Sequence, residues 1–67
     1  MPKNEIPQHA LTTKQAARHL GVSESLLEKL RVYTPKKSPP FIRIGRAIRY
    51  RPADLDVWAS AQSASRE

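Results

Sequence analysis

Apolar positions recur along the chain with two different periods, and the changes between them divide it into elements. In 13–20, Ala16 and Leu20 lie four apart with Ala17 beside them, which makes one small-faced helical stripe. Thr12 and Gln15 have the spacing of a capping box: the threonine oxygen can accept from the Gln15 amide while the glutamine side chain reaches back. Gly21 then stands where a helix commonly ends in a left-handed residue. Ser23 is a good N-cap for a second helix, and Glu24 suits the positive end of its dipole. At 100° per residue, Leu26, Leu27 and Leu30 fall within one arc, with Ser25, Glu28, Lys29 and Val32 opposite. The residue before Pro35 disfavours the α region, so this helix is expected to stop there.

From 34 to 40 the chain is a loop with three prolines and two lysines. Beyond it the period becomes two. Ile42 and Ile44 alternate with Phe41 and Arg43, and after Gly45-Arg46 the residues Ile48 and Tyr50 alternate with Ala47, Arg49 and Arg51. A two-residue connection with glycine first suits a type II′ hairpin turn. Counting the alternation straight through predicts one face of Ile42, Ile44, Ile48 and Tyr50 and a second, arginine-rich face. Pro52 fits a first helical position, and Leu55, Trp58 and Ala59 share a face, so a third helix is expected over 52–61. The expected fold is mainly α with a two-stranded β-hairpin, a winged helix-turn-helix in the order α-α-β-β-α. A loose arm is expected over 1–10, the domain over 11–61, and a fraying tail over 62–67. Its core should combine Val22, Leu27, Leu30, Ile44, Ile48, Tyr50, Leu55 and Trp58.

Composition narrows the function. Sixty-seven residues make one domain with a thin core. No apolar run could span a membrane, and no signal-like apolar region opens the chain, so a cytoplasmic setting is expected. Without cysteine there are no disulfides and no thiolate ligands. The net charge is +6, and it is unevenly placed. Residues 28–51 hold eight basic side chains against one acid, while the remainder holds four basic and five acidic. Charge confined to one half is the footprint of a polyanion binder, although a plainly solvated surface would look similar. An anionic membrane surface would need an unbroken basic amphipathic helix, and three prolines interrupt this half.

Two short helices joined across Gly21-Val22-Ser23 make a helix-turn-helix, whose second helix lies in the major groove of DNA. A plain helical hairpin would also want glycine there; the basic hairpin that follows favours DNA. The run Leu11-Thr12-Thr13-Lys14-Gln15-Ala16-Ala17-Arg18-His19-Leu20-Gly21-Val22-Ser23, with Leu27 and Leu30, resembles the opening of the MerR-like winged helix-turn-helix domains. Pro40-Phe41-Ile42-Arg43-Ile44-Gly45-Arg46-Ala47-Ile48-Arg49-Tyr50, with Asp54, Leu55 and Trp58, resembles the wing and third helix of their small excisionase branch. The stretch 32–39 is longer and more basic than that branch's link.

The resemblance implies that the second helix reads base edges through Ser25, Glu28 and Lys29, with Glu24 and Arg31 at its margins. The wing would track a minor groove with Arg46 at its tip and Arg43 and Arg49 along its outer face. It further implies a nucleoid-associated bacterial protein that bends DNA beside an attachment site and biases an integrase, a tyrosine or serine recombinase, towards excision. Cooperative self-association on double-stranded DNA belongs to the same picture. The residue chemistry agrees. Arginine suits a narrow minor groove, and the Glu28 carboxylate can accept from cytosine N4 or pair with Arg31 three residues on. Thr13, Lys14, Lys36, Lys37 and Arg51 are candidates for phosphate contacts, which set affinity and register without reading sequence.

Other constellations are weak. His9 and His19 stand ten apart with no cysteine, so neither metal nor cofactor is expected, and no nucleophile has a base placed by spacing. No catalytic residue is assigned, and an enzyme is not expected. Three function classes remain: the excisionase-like factor, a small transcriptional regulator of a prophage or mobile element, and a protein-interaction module. A monomer is expected in solution, because the core assignment leaves no apolar stripe over.

Overall fold

The computed structural model describes residues 9–65, with side chains as far as Gln62, so most of the expected arm and the end of the expected tail lie outside the described residues. Helix α1 is Thr13–Leu20, α2 is Glu24–Tyr33, strand β1 is Ile42–Ile44, β2 is Ala47–Arg49, and α3 is Pro52–Ser65. This is the winged helix-turn-helix order expected. The third helix runs four residues past the expected end at Ala61. The 34–40 segment is not a plain loop: Pro35–Lys37 form a 3-10 turn packed against α2.

The caps form as their residue types require. The Gln15 amide donates to Thr12 Oγ1 at 3.1 Å, and the Thr12 amide donates to Gln15 Oε1 at 3.0 Å. The Leu26 amide donates to Ser23 Oγ at 3.1 Å. Gly21 closes α1 at φ 75°, ψ 31°, and the Val22 amide donates to Ala17 O at 3.0 Å. A Cβ built on Gly21 would meet nothing within 4 Å. The requirement for glycine is therefore conformational and not steric. Gly21→Ala should cost about 1–2 kcal/mol through the left-handed backbone alone, and Gly21→Asn, which tolerates that region, clearly less. Denaturant unfolding of the two variants checks this; equal losses would point to a steric cause.

The turn Gly45-Arg46 has glycine at φ 60° and no non-glycine residue at positive φ among the described residues, the sign pattern of a type II′ turn. The strands pair antiparallel with Ile44 opposite Ala47, Arg43 opposite Ile48, and Ile42 opposite Arg49. Residues directly opposite share a face of the sheet, and this overturns the expected faces. Arg43 and Ile48 lie on one side, with Phe41 and Tyr50 continuing it. Ile42, Ile44, Ala47 and Arg49 lie on the other. The alternation within each strand is as expected, but a two-residue turn keeps 44 with 47, whereas counting straight through had put 44 with 48. A slip of one in that relation exchanges the faces of one strand relative to the other.

The core sits where α1, α2, α3 and the base of the hairpin meet. Ala16, Ala17, Leu27, Tyr50 and Leu55 are buried, with Leu11, Leu20, Val22, Phe41 and Ile48 packed around them. The two alanines let α1 approach its neighbours closely, which is why so small a stripe suffices. Leu11 extends the sheet: its amide donates to Tyr50 O at 2.7 Å, and the Tyr50 amide donates back to Leu11 O at 2.8 Å. Three residues expected in the core stand outside this cluster. Leu30 is half-buried, Ile44 lies on the far face of the hairpin, and Trp58 is half-buried against the 34–40 segment. The Trp58 indole N–H donates to Lys37 O at 3.0 Å, so this ring secures the segment after α2. Ser38 and Pro39 are buried in that segment. The expectation that no apolar surface is left over also fails. Leu26, Val32, Tyr33 and Val57 are large and exposed.

Candidate nucleic-acid interface

Helix α2 turns Leu27 into the core, so its opposite side is presented outward by geometry. On that side Ser25, Glu28 and Lys29 are exposed, and together with Val32 and Tyr33 they line one shallow concavity. Glu24, at the helix start, is exposed as well. Of the five residues expected to serve DNA reading from this helix, four are thus on open surface. Glu28 makes no ion pair with Arg31; among the described residues Arg51 pairs with Asp54, and His19 lies within hydrogen-bond distance of Asp56.

Arg31 departs from expectation. Its Nη1 donates to Tyr50 Oη at 3.1 Å, and its guanidinium lies 5.9 Å from the Phe41 ring centroid. The Phe41 and Tyr50 rings are themselves in tilted contact at 6.2 Å. The guanidinium therefore binds the second helix to the base of the hairpin and satisfies the hydroxyl of a fully buried tyrosine. An arginine placed this way joins α2 to the residues that flank the two strands and is half-buried instead of standing free at the margin of the exposed face. Sequence spacing could not show this, because the hydroxyl it satisfies is nineteen residues away.

The three wing arginines are likewise not on one face. Arg46 is exposed at the turn, and Arg43 is exposed on the side of Ile48. Arg49 is half-buried on the opposite side, with Nη1 donating to the backbone oxygen of Ile48 at 2.8 Å. The expectation of three guanidinium groups along one outer face is corrected to a tip, one flank and one tethered group.

Lys36 and Lys37 are exposed on the 3-10 turn that packs against α2, so their charge stands next to the C-terminal end of the exposed helix face. Lys14 is exposed in the first turn of α1, with Thr13 half-buried beside it. Arg51 is exposed and 3.9 Å from Asp54, a long and weak pair that leaves the guanidinium accessible.

Val32 stands with Ser25, Glu28 and Lys29 on the open face, as the helical projection placed it. Two features escape sequence reading. One is Tyr33, exposed beside Val32 on the same concavity. The other is His19, whose Nε2 lies 2.7 Å from Asp56 Oδ1 and links α1 to α3. Thirty-seven residues separate the two, so no local spacing could have paired them.

Among the described residues no helix is long and apolar enough to cross a membrane. No curated protein matches the chain. A family model described as Helix-turn-helix domain matches residues 10–63, which includes both helices of the motif, the wing and most of α3. With the fold and this match together, the chain belongs to the helix-turn-helix domain family.

Proposed function

We propose that this protein is a non-enzymatic, sequence-specific DNA-binding architectural factor of the excisionase type. It binds duplex DNA beside an attachment site, bends it, and directs an integrase towards excision. The observation that carries the DNA-binding part is the open polar face of α2, flanked at its C-terminal end by Lys36 and Lys37 and accompanied by a wing with arginine at its tip. An α-helix is about 10–12 Å across with its side chains, which fits a major groove about 12 Å wide. In this reading Ser25, Glu28 and Lys29 meet base edges. Thr13, Lys14, Lys36, Lys37 and Arg51 neutralise phosphate, and Arg43 and Arg46 follow the adjoining minor groove. The architectural part is supported by the resemblance of the wing and third helix to the small excisionases, with repeated copies binding cooperatively along the site.

Selection from a random duplex library, followed by a circular-permutation bending assay on the selected site, tests both parts. A selected consensus with a bend centred on it is the expected outcome. Selective binding to a duplex that stays straight would replace the architectural role with that of a small transcriptional regulator. Binding that scales only with duplex length and salt, with no consensus, would overturn the sequence-specific reading.

A further inference from the structure

The open face of α2 carries a valine where a polar residue would be expected. Val32 follows Ser25 by seven residues, Glu28 by four and Lys29 by three, so it continues their row on the side away from Leu27. It is 62% exposed, and Tyr33 beside it is 77% exposed. Single exposed apolar residues are ordinary on protein surfaces. This one sits near the C-terminal end of the face and lines one concavity with its polar members, and a β-branched residue adds nothing to helix stability there.

Resting on the DNA-binding reading above, we propose that Val32, walled on one side by Tyr33, is a specificity determinant that reads the 5-methyl group of thymine in the major groove. The chemistry of the groove selects this ligand. Across the four base pairs, the major-groove edge offers donors, acceptors and one apolar group, the thymine methyl. Valine has no donor or acceptor and can gain only from that group. The charge around it points to the same partner: Lys29 lies in the concavity and Lys36 and Lys37 stand on the turn packed against this helix, so a polyanion is drawn to the face that holds the apolar contact. The rise from Ser25 to Val32 is about 10 Å, or roughly three base-pair steps. Glu28 and Val32, about 6 Å apart along the axis, therefore address positions roughly two base-pair steps apart, one accepting from an exocyclic amine and the other touching a methyl.

Deoxyuridine tests this directly, because it removes the methyl and leaves every hydrogen-bonding group of thymine in place. In the duplex selected from the random library, each thymine is replaced in turn and binding to the whole chain is titrated. At one position the replacement should weaken binding about fourfold, the loss that follows from withdrawing one buried methyl-sized group. Val32→Ala should bind the thymine and deoxyuridine duplexes alike at that position, whereas Glu28→Ala should keep the difference between them. Tight, selective binding with no position sensitive to deoxyuridine would overturn the proposal and leave the DNA-binding reading standing. A thymine preference that survives in Val32→Ala would overturn it equally. Failure to select any site would remove the DNA-binding reading, and the proposal with it.

Discussion

Leu27→Ala should unfold a large share of the protein at physiological temperature. Leu27 is fully buried at the meeting point of α1, α3 and the hairpin base, against Ala16, Ala17, Tyr50 and Leu55. Truncating a leucine in such a place costs about 2–5 kcal/mol, and more when the surroundings cannot collapse into the space. Here the facing alanines have no side chain with which to fill it. At about 0.05–0.15 kcal/mol per residue, a domain of this size holds roughly 3–10 kcal/mol in total, so the loss is a large fraction of what exists. Each kcal/mol moves the melting temperature of a small domain by about 4–8 °C. The variant should therefore melt at least about 10 °C below the parent by circular dichroism. Leu26→Ala, one residue away and exposed, should shift it by only a few degrees. Equal shifts for the two would mean that the buried face of α2 has been wrongly assigned.

The contrast between Leu26 and Leu27 marks where sequence stops being informative. A helical projection groups Leu26, Leu27 and Leu30 in one arc, because periodicity gives the direction of an apolar face and not its width. Only the packing of α1, whose stripe is no wider than two alanines, decides that Leu27 alone is swallowed. Features decided within four residues of chain were legible: both N-caps, the Gly21 stop, the break before Pro35 and the Gly45-Arg46 turn all form from local chemistry. Features decided by partners far along the chain were not. Arg31 reaches Tyr50, His19 reaches Asp56, Trp58 reaches Lys37, and Leu11 pairs with Tyr50.

The hairpin lies between these cases. Its turn was readable, and the turn already contained the register, since two residues in the loop oblige 44 to face 47. On the candidate interface, the polar row of Ser25, Glu28 and Lys29 was legible for the same reason as the helix itself. Arg31 was misplaced because its position on the projection, between the buried and open sides, allows either destination. The buried hydroxyl of Tyr50 supplied the deciding partner, since an unsatisfied polar group at that depth is costly.

Separate roles for Arg46 and Arg49 follow from the register, and they bear on how the wing would engage DNA. Arg46 stands exposed in the turn between the strands, while Arg49 is half-buried and donates to Ile48 O on the face opposite Arg43. A narrow minor groove, as in A·T-rich sequence, concentrates negative potential and draws in a weakly hydrated guanidinium. Hydrogen bonds to charged groups contribute about 1.5–3 kcal/mol, so removing such an arginine weakens binding on the order of tenfold to a hundredfold. Arg46→Ala should therefore keep the parent's melting temperature, lose affinity by at least about tenfold, and lose most of its preference for an A·T-rich over a G·C-rich flank beside the selected site. Arg49→Ala should keep that flank preference, because its guanidinium is already committed to the strand. The measurement is a pair of titrations of each variant against the two flanks at one fixed salt concentration. If Arg49→Ala abolished the preference and Arg46→Ala preserved it, the groove would be tracked by the Ile42–Ile44 face of the hairpin and not by its tip. Equal affinity of the parent protein for both flanks would instead take the wing off the minor groove altogether.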